Sequence, residues 1–128
     1  MVIDTSALVA ILLEELDFHK YLKVLREADR RLMSAANFFE ASMVLEARGG
    51  TSAGSELDLF VYEADIEVVP VDREHADAAR RAWRKFGKGN HPASLNFGDC
   101  FTYALAKISG EPVLAKGDDF ARTDIPLC

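Results

Sequence analysis

The sequence predicts an α/β fold, a single domain over residues 1–128 with a central, mostly parallel sheet of four to five strands covered by helices on both faces. Three observations carry that reading. Short β-branched runs alternate with segments of helical period along the chain. The first runs are each followed by a capping residue and a helix. No internal repeat, low-complexity tract or linker interrupts the alternation, and 128 residues suffice for one cored domain but not two.

Val2 and Ile3 read as a short buried strand ended by Asp4, and Ser6 as the cap of a helix over Ala7–Leu13. Phe18, Tyr21, Leu22, Leu25 and Ala28 recur at helical spacing, with Asp17 as N-cap. Leu32-Met33 is a second strand. Ser34 then caps a helix that runs through Phe38, Phe39, Met43, Val44 and Leu45 to a stop at Gly49-Gly50. Another helix spans about Ser55 to Ala64, and Ile66–Val71 is a valine-rich strand punctuated by Pro70. Asp72 caps a helix whose apolar face is Ala76, Ala79 and Trp83, which reads Trp83 as core, with stacking on a base as the second reading; Gly87 closes it. Turn formers fill the loop to Leu95. Asn96 caps the next helix, with Asp99 at the N3 position of a capping box, and Gly110 stops it after Ile108. Pro112–Ala115 is a strand, followed by a turn bearing Asp118, Asp119 and Phe120, and Ile125–Leu127 adds an edge strand.

Composition narrows the function classes. The net charge of −6 argues against indiscriminate binding to nucleic acid. Yet no acid occurs from Ala78 to Gly98, where Arg80, Arg81, Arg84, Lys85 and Lys88 form a basic stretch. It reads either as a grip on RNA phosphates or as a solvated helix face. The two cysteines, Cys100 and Cys128, make no disulfide framework and no metal cluster, so reduced thiols are expected. The apolar run Ala7–Leu13 is too short to span a bilayer and lacks a basic leader, so a cytoplasmic protein without membrane contact is expected. His19 and His75 read as surface residues, His91 as a loop residue beside the cleft. Phe18, Tyr21, Phe38, Phe39 and Phe60 read as core or dimer contacts.

The chemistry lies in the acids. Asp4 follows the first strand, Glu40 lies in the helix after the second, Asp99 opens the helix after Gly98, and Asp118 and Asp119 follow the strand ending near Ala115. In a parallel sheet these positions approach one edge, where such folds gather ligands. Singly, Asp99 reads as a cap acid, Glu40 as a solvated helix residue, and Asp118 and Asp119 as turn residues. Together they repel, by about 4 kcal/mol for a pair 4 Å apart at an effective dielectric of 20. A hard divalent cation, Mg2+ or Mn2+, offsets that directly. No Ser-His-Asp or Cys-His arrangement accompanies them, which favours phosphoryl over acyl chemistry.

At these residues the chain resembles the PIN-domain family, and within it the VapC-type toxins of bacterial toxin–antitoxin pairs. The resemblance rests on Met1-Val2-Ile3-Asp4-Thr5-Ser6-Ala7, on Glu40 after Ser34-Ala35-Ala36, and on Leu95-Asn96-Phe97-Gly98-Asp99-Cys100-Phe101. It continues through Lys116-Gly117-Asp118-Asp119-Phe120 and Thr123-Asp124-Ile125. It implies a Mg2+- or Mn2+-dependent endoribonuclease whose catalytic, metal-holding acids correspond to Asp4, Glu40, Asp99 and Asp119, with Asp118 as substitute. Thr5 or Ser6 would help hold the ion or phosphate. Arg80, Arg84, Lys85, Lys88 and Lys116 are the candidate RNA contacts. A homodimer and a cognate antitoxin that occludes the cleft are implied as well. Many members carry an acid where Gly117 stands, so a catalytically silent binding protein is one alternative. A receiver-like phosphoacceptor module is the other, but it requires an acid pair after the first strand and an acceptor Asp after a middle strand, where this chain has Thr5-Ser6 and Ser34.

Overall fold

Four short strands, β1 (Val2–Ile3), β2 (Leu32–Ser34), β3 (Glu67–Val69) and β4 (Val113–Leu114), form one sheet in the computed structural model, which describes residues 1–128. The sheet is parallel throughout, in the order β3-β2-β1-β4. Five helices connect and cover it: α1 (Thr5–Leu12), α2 (Phe18–Glu27), α3 (Ala35–Glu63), α4 (Arg73–Phe86) and α5 (Phe97–Ser109). The alternation of side chains along each strand divides the interior in two. Val2, Leu32 and Val113 point to the layer built with α4 and α5. Ile3, Met33 and Leu114 point to the opposite layer, with α1, α2 and α3. Both faces are therefore covered, and no helix is long and apolar enough to cross a membrane.

Local chemistry explains the boundaries. Ser34 accepts a hydrogen bond from the Ala36 N–H, Asp72 accepts one from the His75 N–H, and Asn96 with Asp99 forms the full capping box. Two expected caps differ. Asp4, not Ser6, caps α1, because the carboxylate at the strand end reaches the Ser6 N–H. Asp17 makes no cap bond; its backbone is left-handed (φ 66°) and its carboxylate pairs with Lys20.

The Gly49-Gly50 stop is a break of one residue. Gly50 alone leaves the helical conformation (φ 70°, ψ −166°), and helix resumes at Thr51 rather than Ser55. A side-chain carbon at Gly54 would stand 2.9 Å from the Glu46 carboxyl carbon. Eight residues apart in a straight helix are separated by about 12 Å. The two arms of α3 therefore fold back on each other as a tight hairpin. The third and fourth strands are shorter than the predicted Ile66–Val71 and Pro112–Ala115, while β1 is as predicted and β2 extends one residue further, to Ser34. Ile66 is buried outside β3, and Ile125–Leu127 contributes a single parallel bridge from Leu127 to Val113 instead of a strand.

Helix α4 is rotated from its predicted face. His75, Ala78, Ala79, Ala82 and Phe86 are buried, whereas Trp83 is 52% exposed. The row of alanines lets α4 press closely on α5, and the indole, one residue or about 100° around the helix, is left outside. His75, expected at the surface, is buried by the same rotation, with its Nδ1 unpartnered.

The chain's end is fixed to α5. Tyr103 Oη donates to Asp124 Oδ1 at 2.6 Å and Lys107 Nζ to Asp124 Oδ2 at 2.9 Å. The Tyr103 hydroxyl, then Lys107, hold the Asp124 carboxyl below its ordinary range, while Tyr103 is shifted up, first by burial and then by this bond. A carboxylate depressed in the folded state stabilises it above the unfolded pKa, and that stability is lost as pH falls through the folded one. Asp124→Asn should accordingly cost about 1 kcal/mol at pH 7, the scale of one solvent-screened charged hydrogen bond. In denaturant melts the deficit should shrink once the pH drops below the usual carboxylate range.

Candidate active site

The sequence Val2-Ile3-Asp4-Thr5-Ser6 carries the chain from a buried strand straight into α1, so Asp4 sits at the carboxyl edge of the sheet and is 3% exposed. Both of its oxygens are engaged. Oδ2 accepts from the Ser6 N–H at 3.0 Å and from Ser6 Oγ at 2.6 Å. Oδ1 accepts from Thr102 Oγ1, on α5, at 2.6 Å. Ser6 Oγ in turn accepts the Lys116 N–H at 2.9 Å, which brings the segment after β4 to the same edge.

A second buried bridge assembles the other acids. Asn37, in the first turns of α3, is fully buried; its Nδ2 donates to Thr5 Oγ1 at 3.2 Å and to the Gly98 carbonyl at 2.9 Å. One amide thus joins the starts of α1, α3 and α5. Glu40, one turn further along α3, lays its carboxylate over Gly98. A β-carbon there would stand 2.6 Å from Glu40 Oε2, so the carboxylate keeps this place only because residue 98 is glycine. Asp99 follows directly, with Oδ2 accepting the Asn96 N–H at 3.0 Å.

The electrostatics agree with this convergence. Asp99 is pushed up to about 7, first by burial and then by the negative charge of Asp4, partly offset by the Asn96 N–H; Asp119 and Glu40 raise it further. Asp4, Glu40 and Asp119 therefore each lie within electrostatic reach of Asp99. Of the pair after β4, Asp119 is the one whose charge reaches Asp99. None of the ion pairs in the protein involves Asp4, Glu40, Asp99, Asp118 or Asp119. Their oxygens suit a hard divalent cation, whose charge would offset the repulsion. As the side chains stand, no three of them are close enough to hold one.

The remaining candidates are placed as follows. The hydroxyls of Thr5 and Ser6 brace Asn37 and Asp4. Lys116 Nζ pairs with Glu15 at 2.9 Å. Arg80 reaches Asp77 at 3.2 Å and Lys85 reaches Asp124 at 3.9 Å, while Arg84 and Lys88 have no ion pair. His91 Nδ1 accepts the Ala93 N–H at 3.0 Å and so shapes its own loop. Sequence reasoning missed Asn37 and Thr102. Each stands three residues from a predicted acid on the same helix, a spacing that puts both on one face and would have found them.

Comparison with known proteins agrees with the geometry. The PIN domain family matches residues 1–126. Ribonuclease VapC30 of Mycobacterium tuberculosis is 53% identical over 125 residues, covering 98% of this chain and 95% of that protein. Ribonuclease VapC of Mycolicibacterium smegmatis is 51% identical, covering 98% and 97%. The crystal structure of Mycobacterium tuberculosis VapC20, described as a sarcin-ricin loop cleaving toxin, superposes with a TM-score of 0.78 at 16% identity, over 97% of this chain and 95% of that one. The chain belongs to the PIN-domain family, among its VapC-type members, and the receiver-like alternative is set aside.

A carboxyl raised from 3.8 to about 7 on folding binds a proton more tightly in the folded state, so it subtracts stability as pH rises through that window. Asp99→Asn keeps an acceptor for the Asn96 N–H and removes the charge. In EDTA at pH 8 it should therefore raise stability by about 2 kcal/mol, a gain that fades toward pH 4 in thermal melts.

Proposed function

We propose that this protein is a Mg2+- or Mn2+-dependent endoribonuclease that hydrolyses RNA phosphodiester bonds, and that it is the toxin of a toxin–antitoxin pair. The observation that carries the reading is the convergence of acids from four separate segments on one sheet edge, with no cationic side chain paired to them. Asp4, Glu40, Asp99 and Asp119 are the residues that would hold the ion. Such an ion supplies neutralising charge, a lowered pKa for bound water and stabilisation of the leaving oxygen.

The chain's own residues do the positioning. Thr102 and Ser6 fix both oxygens of Asp4, and Asn37 sets the spacing between the helices that bear Glu40 and Asp99. With its carboxyl raised to about 7, Asp99 is partly protonated near neutral pH, so a cation held there would have to displace that proton. The ribonuclease names of the relatives support RNA as substrate. A cognate antitoxin that covers the acidic edge, a homodimeric assembly and a cytoplasmic location complete the proposal.

Asp4→Asn, Glu40→Gln and Asp99→Asn should each lower cleavage of an RNA pool by at least about 100-fold, the scale set by loss of a charge-stabilising group. Circular dichroism should show the fold retained. EDTA should abolish cleavage and Mg2+ restore it, and sequencing of RNA 5′ ends after induction should show cuts that vanish in Asp4→Asn cells. Metal-independent cleavage would remove this mechanism. No cleavage of any RNA under any metal would leave a silent binding protein.

A further inference from the structure

A groove of about 500 Å³ opens between α4 and α5, within the range of roughly 300–1,000 Å³ usual for small-ligand sites. Its apolar wall includes Ala79, Trp83, Phe97 and Phe101, and its only charged lining residues are Arg80 and Lys88, both basic. Trp83 is 52% and Phe97 80% exposed, so half of the first and most of the second are open to solvent. Phe97 and Phe101 meet edge to face, with centroids 5.0 Å apart. The indole lies over Gly87, where a β-carbon would stand 2.5 Å from Trp83 Cδ1, so glycine leaves the ring room to lie there.

The groove adjoins the acidic site through shared residues. Asn96 lines it and also exchanges both capping bonds with Asp99, and Cys100, the next residue along α5, lines it too. Aromatic faces flanked by cations suit a polyanion that carries flat rings. A protein partner matched to this wall would need acids opposite Arg80 and Lys88. A second copy packed symmetrically brings the same two cations to the seam.

We propose that this groove is a stacking subsite for an unpaired base of single-stranded RNA adjoining the bond to be cut, with Lys88 and Arg80 on the neighbouring phosphates. The inference rests on the ribonuclease reading above. Bases stack on aromatic side chains whatever their identity, so the subsite fixes the position of the strand more than its sequence.

Trp83 is the only tryptophan, which makes it a reporter of its own site. The full-length Asp4→Asn protein, with Mg2+ present, would be titrated with a short single-stranded oligoadenylate and, separately, with an abasic sugar-phosphate chain of equal length. Oligoadenylate should quench Trp83 emission saturably and the abasic chain should not. Phe97→Ala, at an exposed position, should weaken binding by about ten-fold or more. Lys88→Ala should flatten the slope of log affinity against log salt by about 0.7. If labelled oligoadenylate binds while Trp83 emission stays constant and Phe97→Ala binds like the parent, the subsite is overturned and the ribonuclease reading stands. If sedimentation shows an RNA-free dimer that Phe97→Ala dissociates, a second copy fills the groove and the subsite is overturned. Failure of the active protein to bind or cut any RNA overturns both readings.

Discussion

The hydrogen bond from Thr102 to Asp4 is the constraint on which the acidic edge depends. It spans 98 positions of sequence and joins the end of β1 to the middle of α5 at 2.6 Å. Without it a nearly buried carboxylate would lose a charge-assisted partner, an expensive loss away from water. With it, α5 is held so that Asp99 lies within electrostatic reach of Asp4, and the Asn37 bridge sets α3 against both. The acids come from segments with no local reason to meet. Two buried polar residues and a glycine bring them together.

This arrangement works against stability. Asp99 is raised to about 7 because burial and like charges oppose its ionisation. The stabilising contribution comes from elsewhere, from the two apolar layers on either side of the sheet. Strands of two or three residues carry few ladder bonds, so side-chain packing has to hold them. The site is thus a strained edge on a scaffold stabilised by its interior, a common division of roles in sites built for charge.

Much of this was legible in the residues. Val2-Ile3-Asp4, the Ser34 and Asp72 caps and the Asn96/Asp99 box are local signals, and the helices after Ser34, Asp72 and Asn96 begin where those caps say. What escaped was tertiary. The rotation of α4 depends on how closely alanines let it approach α5, and no pattern within one helix distinguishes Ala76-Ala79-Trp83 from His75-Ala78-Ala82 as the inward row. Glycine spacing announced an interruption near Gly50 but not that a single residue would reverse the chain. The roles of Asn37 and Thr102 needed partners 61 and 98 positions away.

Gly98 has a bearing on how such a protein is lost from a lineage. The atoms a new methyl group would meet there belong to the far end of the flexible Glu40 side chain, which can swing aside at little cost to folding. A one-codon change to alanine would therefore leave all the acids in the gene and displace one of them from the cluster. On the function proposed above, that is a ready path of escape where expression harms the host: a chain that still folds and still presents its surface, with Glu40 moved from the place the proposal needs it.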